Sequence, residues 1–295
     1  MSTPTVAISQ NTFSQRFVNA IKTWALWRKV GFYIILTVFA VIMFFPFYWL
    51  LVASLKSSTE INSSNISFWP TFHFENWGKI LTNSRFIRYL TNSVIVAVCN
   101  VFAVTITSIL AAFALAKLNI QGKAYIIGAM LILIAVPFEV LVITNYKTIS
   151  DLEFHDSLVA LVIPFVASVY YTILLRNSFL ASSNKIYYAA RIDGASNMRY
   201  LLRILIPQSW NTIVSIMLLS ALASWNSIMW PLIVLRDPDN MTLTFLRYLF
   251  MYEGGISSDE MIMAASLISI IPTIVLYVFF RKYIVRSVNF GGTKG

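Results

Sequence analysis

Six long apolar runs separated by short polar connections leave this chain few ways to fold. They extend approximately from Val30 to Ser54, Val94 to Ala116, Ala124 to Tyr146, Ser157 to Leu175, Thr212 to Leu235 and Ile262 to Phe280. A hydrocarbon core of roughly 30 Å takes about 20 helical residues to cross, and each run is of that order. Within lipid no water satisfies a backbone N–H or C=O, so such runs must be helices that hydrogen-bond internally. The composition agrees, with 58% of the 295 residues hydrophobic, 12% charged and a mean hydropathy of +0.73. Soluble domains of this size rarely show that balance. The expectation is an all-α membrane protein with six transmembrane helices.

The connections orient the bundle. If the N-terminus is cytoplasmic, the inside segments hold four Lys or Arg in 1–29, two at Lys117 and Lys123, five in 176–211 and four in 281–295. The outside loops hold four in 55–93, Lys147, and Arg236 with Arg247. Positive residues gather inside, so both termini are expected to be cytoplasmic. This also explains the net charge of +10: the cations lie beside spans and form no face for nucleic acid. Residues 1–29 place Phe13, Phe17, Ile21 and Trp24 at helical spacing near Arg16, Lys22, Arg28 and Lys29, the pattern of a short helix on the membrane surface. A permease-sized domain over 30–280 and a cytoplasmic tail over 281–295 follow. The first run is too long for a cleaved signal and lacks a small-residue cleavage site, so it is expected to anchor the chain.

The longest inside connection, 176–211, contains the stretch around which the other features arrange themselves. Tyr188-Ala189-Ala190-Arg191-Ile192-Asp193-Gly194-Ala195 leads into Ser196 and a run ending at Pro207. Asp193-Gly194 reads as a turn between two short helices, because glycine adopts backbone angles at which a helix stops. Ser196 is placed to cap the second helix. There Met198, Leu201, Leu202 and Leu205 recur at helical spacing as one apolar stripe, with Arg199 and Arg203 on another face.

The spacing resembles the signature loop of ABC-importer permeases: Glu-Ala-Ala, three residues, Gly, nine residues, then Ile-x-Leu-Pro. Ala189, Ala190, Gly194, Ile204 and Pro207 fall in register, and Arg191, Asp193 and Ala195 match the version in carbohydrate permeases of the maltose and oligosaccharide type. Further similar segments are Phe68 to Trp77, Asp156 to Arg176, Trp225 to Leu235, Thr242 to Thr244 and Tyr283 to Gly295, so the resemblance runs from about residue 25 to the end. It implies a type I importer permease fold in a bacterial cytoplasmic (inner) membrane, with the loop as a coupling-helix hairpin docked on a cytoplasmic ATPase. It also implies two ATPase subunits, a second permease, an extracytoplasmic solute-binding protein and a carbohydrate substrate, with membrane lipid around the bundle. One position departs: Tyr188 stands where the family carries a glutamate that supplies a charged contact to the ATPase. Small residues that permit close docking remain.

The chain carries little chemistry of its own. Gly122-Lys123 lacks the upstream glycine and the following hydroxyl of a P-loop. No catalytic elbow or paired carboxylates stand out. His73 and His155 are isolated and read as surface residues rather than metal ligands. No cofactor is expected in this chain, and ATP with Mg is expected on the partner ATPase. Cys99 lies in an apolar run and reads as a small buried hydrophobe.

Glu139, two residues after Pro137, is the one acidic residue within the runs. Charge is costly there, so it faces a cavity, pairs with another helix or sits nearer the outer interface. Pro137 and Pro231 either bend their helices to open backbone carbonyls to a wet path or are packed kinks. A sugar offers hydroxyls to polar side chains and ring faces to aromatics. Asn145, Tyr146, Tyr170, Tyr171, Ser224, Trp225, Asn226 and Trp230 supply both, although Trp and Tyr also form interfacial belts. The alternative to an ATP-driven permease is a self-sufficient secondary transporter with Glu139 as its ion site.

Overall fold

A computed structural model describes the backbone of residues 10–246 and 259–289 and the side chains of 27–246 and 259–281. Every regular element among these residues is helical. The elements are α1 (Gln10–Ser54), α2 (Ser58–Ile61), α3 (Glu75–Leu81), α4 (Phe86–Lys117), α5 (Lys123–Ile134), α6 (Phe138–Asp151) and α7 (Val169–Ala181). They continue with α8 (Asn184–Ile192), α9 (Asn197–Tyr200), α10 (Ile206–Gln208), α11 (Trp210–Trp225), α12 (Met229–Val234) and α13 (Asp259–Asn289).

Three spans are single helices, Trp27–Ser54, Phe86–Lys117 and Asp259–Arg281. The other three expected spans are broken, and by length and composition up to six crossings result when each bent pair is counted as one. In the third, α5 and α6 meet at 100°. Pro137 is the cause: it has no N–H for the helix ladder and pushes the residue before it out of helical angles. It then serves as the N-cap of α6. In the fourth, two 3₁₀ turns over Leu158–Phe165 meet α7 at 47°, and Ser168 caps α7 by accepting from the Tyr171 N–H at 3.3 Å.

The fifth span corrects an expectation. Its helix stops at Trp225 and restarts at Met229, so the break precedes Pro231. Pro231 lies in the first turn of α12, where a missing N–H costs nothing, and it does not bend a continuous helix. At its other end α11 meets the segment Asn197–Gln208 at 80°.

Two further expectations change. The surface helix foreseen within 1–29 is, from Gln10 onward, continuous with the first span. No glycine or proline lies between Gln10 and Lys29 to stop it. Residues 1–9 of that segment and 290–295 of the tail lie outside the described residues. Cys99 is exposed, not buried. It shares the outward face of α4 with Ile95, Phe102 and Ile106 at helical spacing. Both histidines are exposed.

In the centre of the bundle α4 packs against α7 and α11, α11 also packs on α13, and α13 on α1. The apolar residues form two clusters, one at each end. The first gathers Tyr89, Trp225, Trp230, Leu243 and Leu246 with α13 residues Ala264 and Ala265. The second gathers Ala112 and Phe113 of α4, Leu175 and Phe179 of α7, and Tyr200, Leu201 and Leu205 of the hairpin. Large outward faces of α1 and α5 stay open and apolar: no residue of the apolar window of α1 is buried in this chain, and α5 buries none.

Candidate functional site

The hairpin foreseen at 188–207 forms, and its first arm is α8. Gly194 adopts φ +80°, a left-handed angle that a β-branched side chain resists. Around it the Ala195 N–H donates to the Ala190 carbonyl at 2.9 Å and the Gly194 N–H to Arg191 at 3.1 Å. Paired bonds of this kind close a helix end by a Schellman motif, which satisfies carbonyls that the helix leaves free. The Arg191 guanidinium adds a donation to the Ala195 carbonyl at 3.0 Å. Ser196 caps the second arm as expected, accepting from the Arg199 N–H at 3.2 Å. Tyr187 braces the two arms, its hydroxyl 2.9 Å from Asn197 Oδ1 and its ring edge-on to Tyr200 at 5.0 Å.

The arms divide their residues between core and surface. Ala190, Tyr200, Leu201 and Leu205 are buried, and Ala195 and Ile204 pack partly against them. Tyr188, Ala189, Arg191, Asp193, Gly194 and Pro207 are exposed. The apolar stripe read from 198–205 is therefore split: Leu201 and Leu205 are core, whereas Met198 and Leu202 face outward. Its geometry explains this, because Leu201–Leu205 is wound as a π-helix, which shifts the register of successive turns. The hairpin thus leaves the apolar side chains of Tyr188, Ile192, Met198 and Leu202 exposed, with Ile192 86% exposed. Ile192 was not singled out from the sequence, although its spacing of four from Tyr188 places both on one face.

A cavity of about 440 Å³ opens between α4, the α5–α6 bend, the start of α7 and the end of α11. Of the eight aromatic and polar candidates and Glu139, the structure brings Tyr170, Tyr171, Ser224 and Trp230 to its wall. Trp230 is held there by a 2.9 Å donation to the Ala160 carbonyl and an edge contact with Phe138 at 5.8 Å. The others lie elsewhere. Trp225 turns toward α13 and donates to the Ser269 carbonyl at 3.0 Å. Asn226 donates to the Leu222 carbonyl at 2.8 Å. Tyr146 accepts from Arg236 at 3.4 Å. Glu139 is exposed in the first turn of α6, and neither it nor half-buried Asn145 lines the cavity.

The wall also includes a residue that the sequence reading missed. Asn100 is buried in α4 and its amide donates to the Leu161 carbonyl at 3.2 Å and to Ser224 Oγ at 3.0 Å. A lone asparagine inside an apolar run was the available signal, since an intramembrane amide needs partners. Among the described residues no Lys, Arg, His, Asp or Glu lines the cavity, and no cluster of His, Cys, Asp or Glu could hold a metal.

Known proteins share this architecture. An arabinooligosaccharides transport system permease protein of Halalkalibacterium halodurans is 28% identical over 95% of this chain and 100% of its own length. An sn-glycerol-3-phosphate transport system permease protein of Brucella suis is 30% identical over 86% of this chain and 94% of its own. Among solved structures, a bacterial ABC transporter involved in the import of the acidic polysaccharide alginate shares the fold, with TM-score 0.74 and 23% identity over 95% of this chain and 99% of that one. Residues 83–290 match the family described as binding-protein-dependent transport system inner membrane component, and with that match covering most of the chain, the protein belongs to this family of membrane-embedded permeases.

Proposed function

We propose that this chain is one permease subunit of an ATP-driven importer for a sugar or oligosaccharide, coupled to a separate ATPase through the hairpin. The observation that carries this reading is the hairpin: a Schellman-closed turn with exposed apolar side chains, in a chain of this family. Exposed Tyr188, Ile192, Met198 and Leu202 suit insertion into a notch on a protein partner, where buried aromatic and aliphatic anchors dominate binding. With the excess of Lys and Arg on its side of the bundle, the hairpin is cytoplasmic, where ATP and its hydrolysing subunits are. The open apolar faces of α1 and α5 are left to lipid and to the second permease, and the opposite end of the bundle meets the solute-binding protein.

The cavity favours carbohydrate. Aromatic residues Phe138, Phe165, Tyr170, Tyr171 and Trp230 share its wall with the hydroxyl residues Ser220, Ser224, Ser227 and Thr242, the mixture that binds a sugar's ring face and hydroxyls. With no cation among the described residues of its wall, the cavity suits an uncharged sugar better than a phosphate ester or a uronate. Among the relatives it is the arabinooligosaccharide permease whose named substrate fits this chemistry.

The experiment is reconstitution of the chain with its copurifying subunits in proteoliposomes, followed by uptake of labelled arabinooligosaccharide and sn-glycerol-3-phosphate. ATP-dependent uptake of the neutral sugar alone is expected. Glu139→Gln should leave it intact, because its carboxylate neither faces the cavity nor bonds to a described residue. Uptake that proceeds without an ATPase, or that Glu139→Gln abolishes, would overturn the proposal.

A further inference from the structure

We infer that Lys117 is the positioning residue that latches the hairpin to α4, so that a push on the hairpin moves the helix that walls the cavity. The inference rests on the reading of the hairpin as the ATPase dock. Lysine is almost never fully buried unless its charge is satisfied. Lys117, at the last turn of α4, is only 9% exposed, and among the described residues no carboxylate pairs with it. Its ammonium instead donates to the Ser182 carbonyl at 2.7 Å and to Asn184 Oδ1 at 2.9 Å.

Those two acceptors straddle the joint between two helices. Ser182 is the C-cap of α7, whose carbonyl no helical N–H reaches, and the negative end of a helix dipole favours a cation there. Asn184 is the first residue of α8, whose N-cap, Ser183, is already occupied in accepting from the Lys185 N–H. One ammonium therefore ties the end of α4 to the end of α7 and the start of the hairpin. An apolar side chain of the same length would leave a buried carbonyl without a donor.

The second arm of the hairpin meets the same helix. One turn before Lys117, the Phe113 ring lies 6.5 Å from that of Tyr200. Val96, Asn100 and Val104 of α4 line the cavity. Since α4 has no break between these positions and Lys117, hairpin and cavity wall are joined by one stiff element, about 25 Å from Asn100 to Lys117 at the helical rise. Lys117 is the polar part of that joint and the part whose loss changes no cavity residue.

The test uses the intact complex in proteoliposomes. Lys117→Met removes the donor and keeps the length, Lys117→Arg keeps charge and donors, and Asn184→Ala removes one acceptor only. Two quantities are read: hydrogen exchange of the 184–192 amides, and sugar transported per ATP hydrolysed. Lys117→Met should speed exchange and lower transport per ATP, each about tenfold as expected for a lost charged hydrogen bond. Lys117→Arg should restore most of both, and Asn184→Ala should shift both by less. If Lys117→Met does not assemble, Asn184→Ala carries the same test. Unchanged exchange in these variants overturns the latch, and faster exchange with unchanged transport per ATP overturns its coupling role. A wild-type complex without any ATPase overturns the docking reading instead, and shows itself before any variant is made.

Discussion

The two ends of the bundle are held by different means. At the hairpin end the turn is closed by bonds between groups a few residues apart, over a cluster of large apolar side chains, with Lys117 tying its base to α4. At the opposite end, segments far apart in sequence are tied by side chains to backbone. Asn92 donates to the carbonyls of Asp239 and Met241, each at 2.9 Å, and Ser93 Oγ accepts from the Leu243 N–H at 2.7 Å. Arg88 pairs with Asp239 at 2.6 Å, and the Asp156 carboxylate accepts from the N–H groups of Arg236 and Asp237. If the hairpin docks an ATPase as proposed, a turn made of short-range bonds keeps its shape whatever its surroundings. The clasp at the opposite end joins distant loops largely through side chains, and is sensitive to each of them.

The largest effect is expected at Gly194. A Cβ added there meets no neighbouring atom within 4 Å, so the loss expected comes from backbone strain, about 1–2 kcal/mol for a left-handed residue and more for a β-branched one. Gly194→Val should insert normally and lose ATP-driven uptake, whereas Gly194→Asn, which tolerates that angle, should keep most of it. Equal uptake by the two would show that the turn angle is immaterial. At the other end, Asn92→Leu strands two carbonyls at about 1–3 kcal/mol. It should lower the unfolding temperature in detergent while leaving ATPase copurification unchanged. A drop in copurification would mean that the two ends are not separate.

The hairpin was readable from the sequence because each device in it is local. Glycine, the serine cap and the spacing of Ala190 lie within a few residues of one another. What misled was the π-helical winding of Leu201–Leu205, which has no sequence signal of its own and turns Met198 and Leu202 outward. The six apolar runs were also readable, but not the interruption at 226–228, where no proline marks the stop and the break depends on tertiary packing of Trp225 and Trp230. The clasp was not readable at all: Asn92 and Asp239 are 147 positions apart, and nothing in the pattern of either segment pairs them. Cys99 and Asn100 show the same limit, since a run apolar throughout does not say which face turns to the bundle.

Tyr188 sharpens the view of the tip. It is 62% exposed, its ring leaning on Tyr187 at 5.6 Å, so under the proposed docking role what it offers is apolar area with one hydroxyl. Tyr188→Phe should be mild, Tyr188→Ala should weaken ATPase copurification severalfold, and Ile192→Ala on the same face should act alike. Tyr188→Glu should help only if the ATPase offers a cation, and otherwise buries an unpaired charge. Wild-type copurification by both alanine variants would remove this face from the dock.

The smallest effect is expected in the clasp, and it separates the two ends by pH. The Arg236 N–H, then the Asp237 N–H, hold the Asp156 carboxyl below its ordinary value of 3.8 by donating to its charged form. Protonation is thus disfavoured in the folded chain, and the unfolded chain binds the proton first as pH falls. The stabilisation from this group is complete above the ordinary carboxylate value and is lost as pH drops through the lowered one. Amide exchange at Arg236 and Asp237, corrected for its intrinsic rate, should therefore stay constant from neutral pH to about pH 4 and lose protection only below that. Asp156 has φ +57°, an angle asparagine accepts, so Asp156→Asn removes the titration without adding backbone strain and should abolish the dependence. The Asp156 N–H still donates to the Val234 carbonyl at 3.0 Å, which keeps the change to a loosening rather than an opening. Amides of Gly194 and Ala195, whose acceptors are backbone carbonyls, should show no such step. A step at both ends, or one that survives Asp156→Asn, would mean that acid acts on the bundle as a whole and that the clasp is not where it begins.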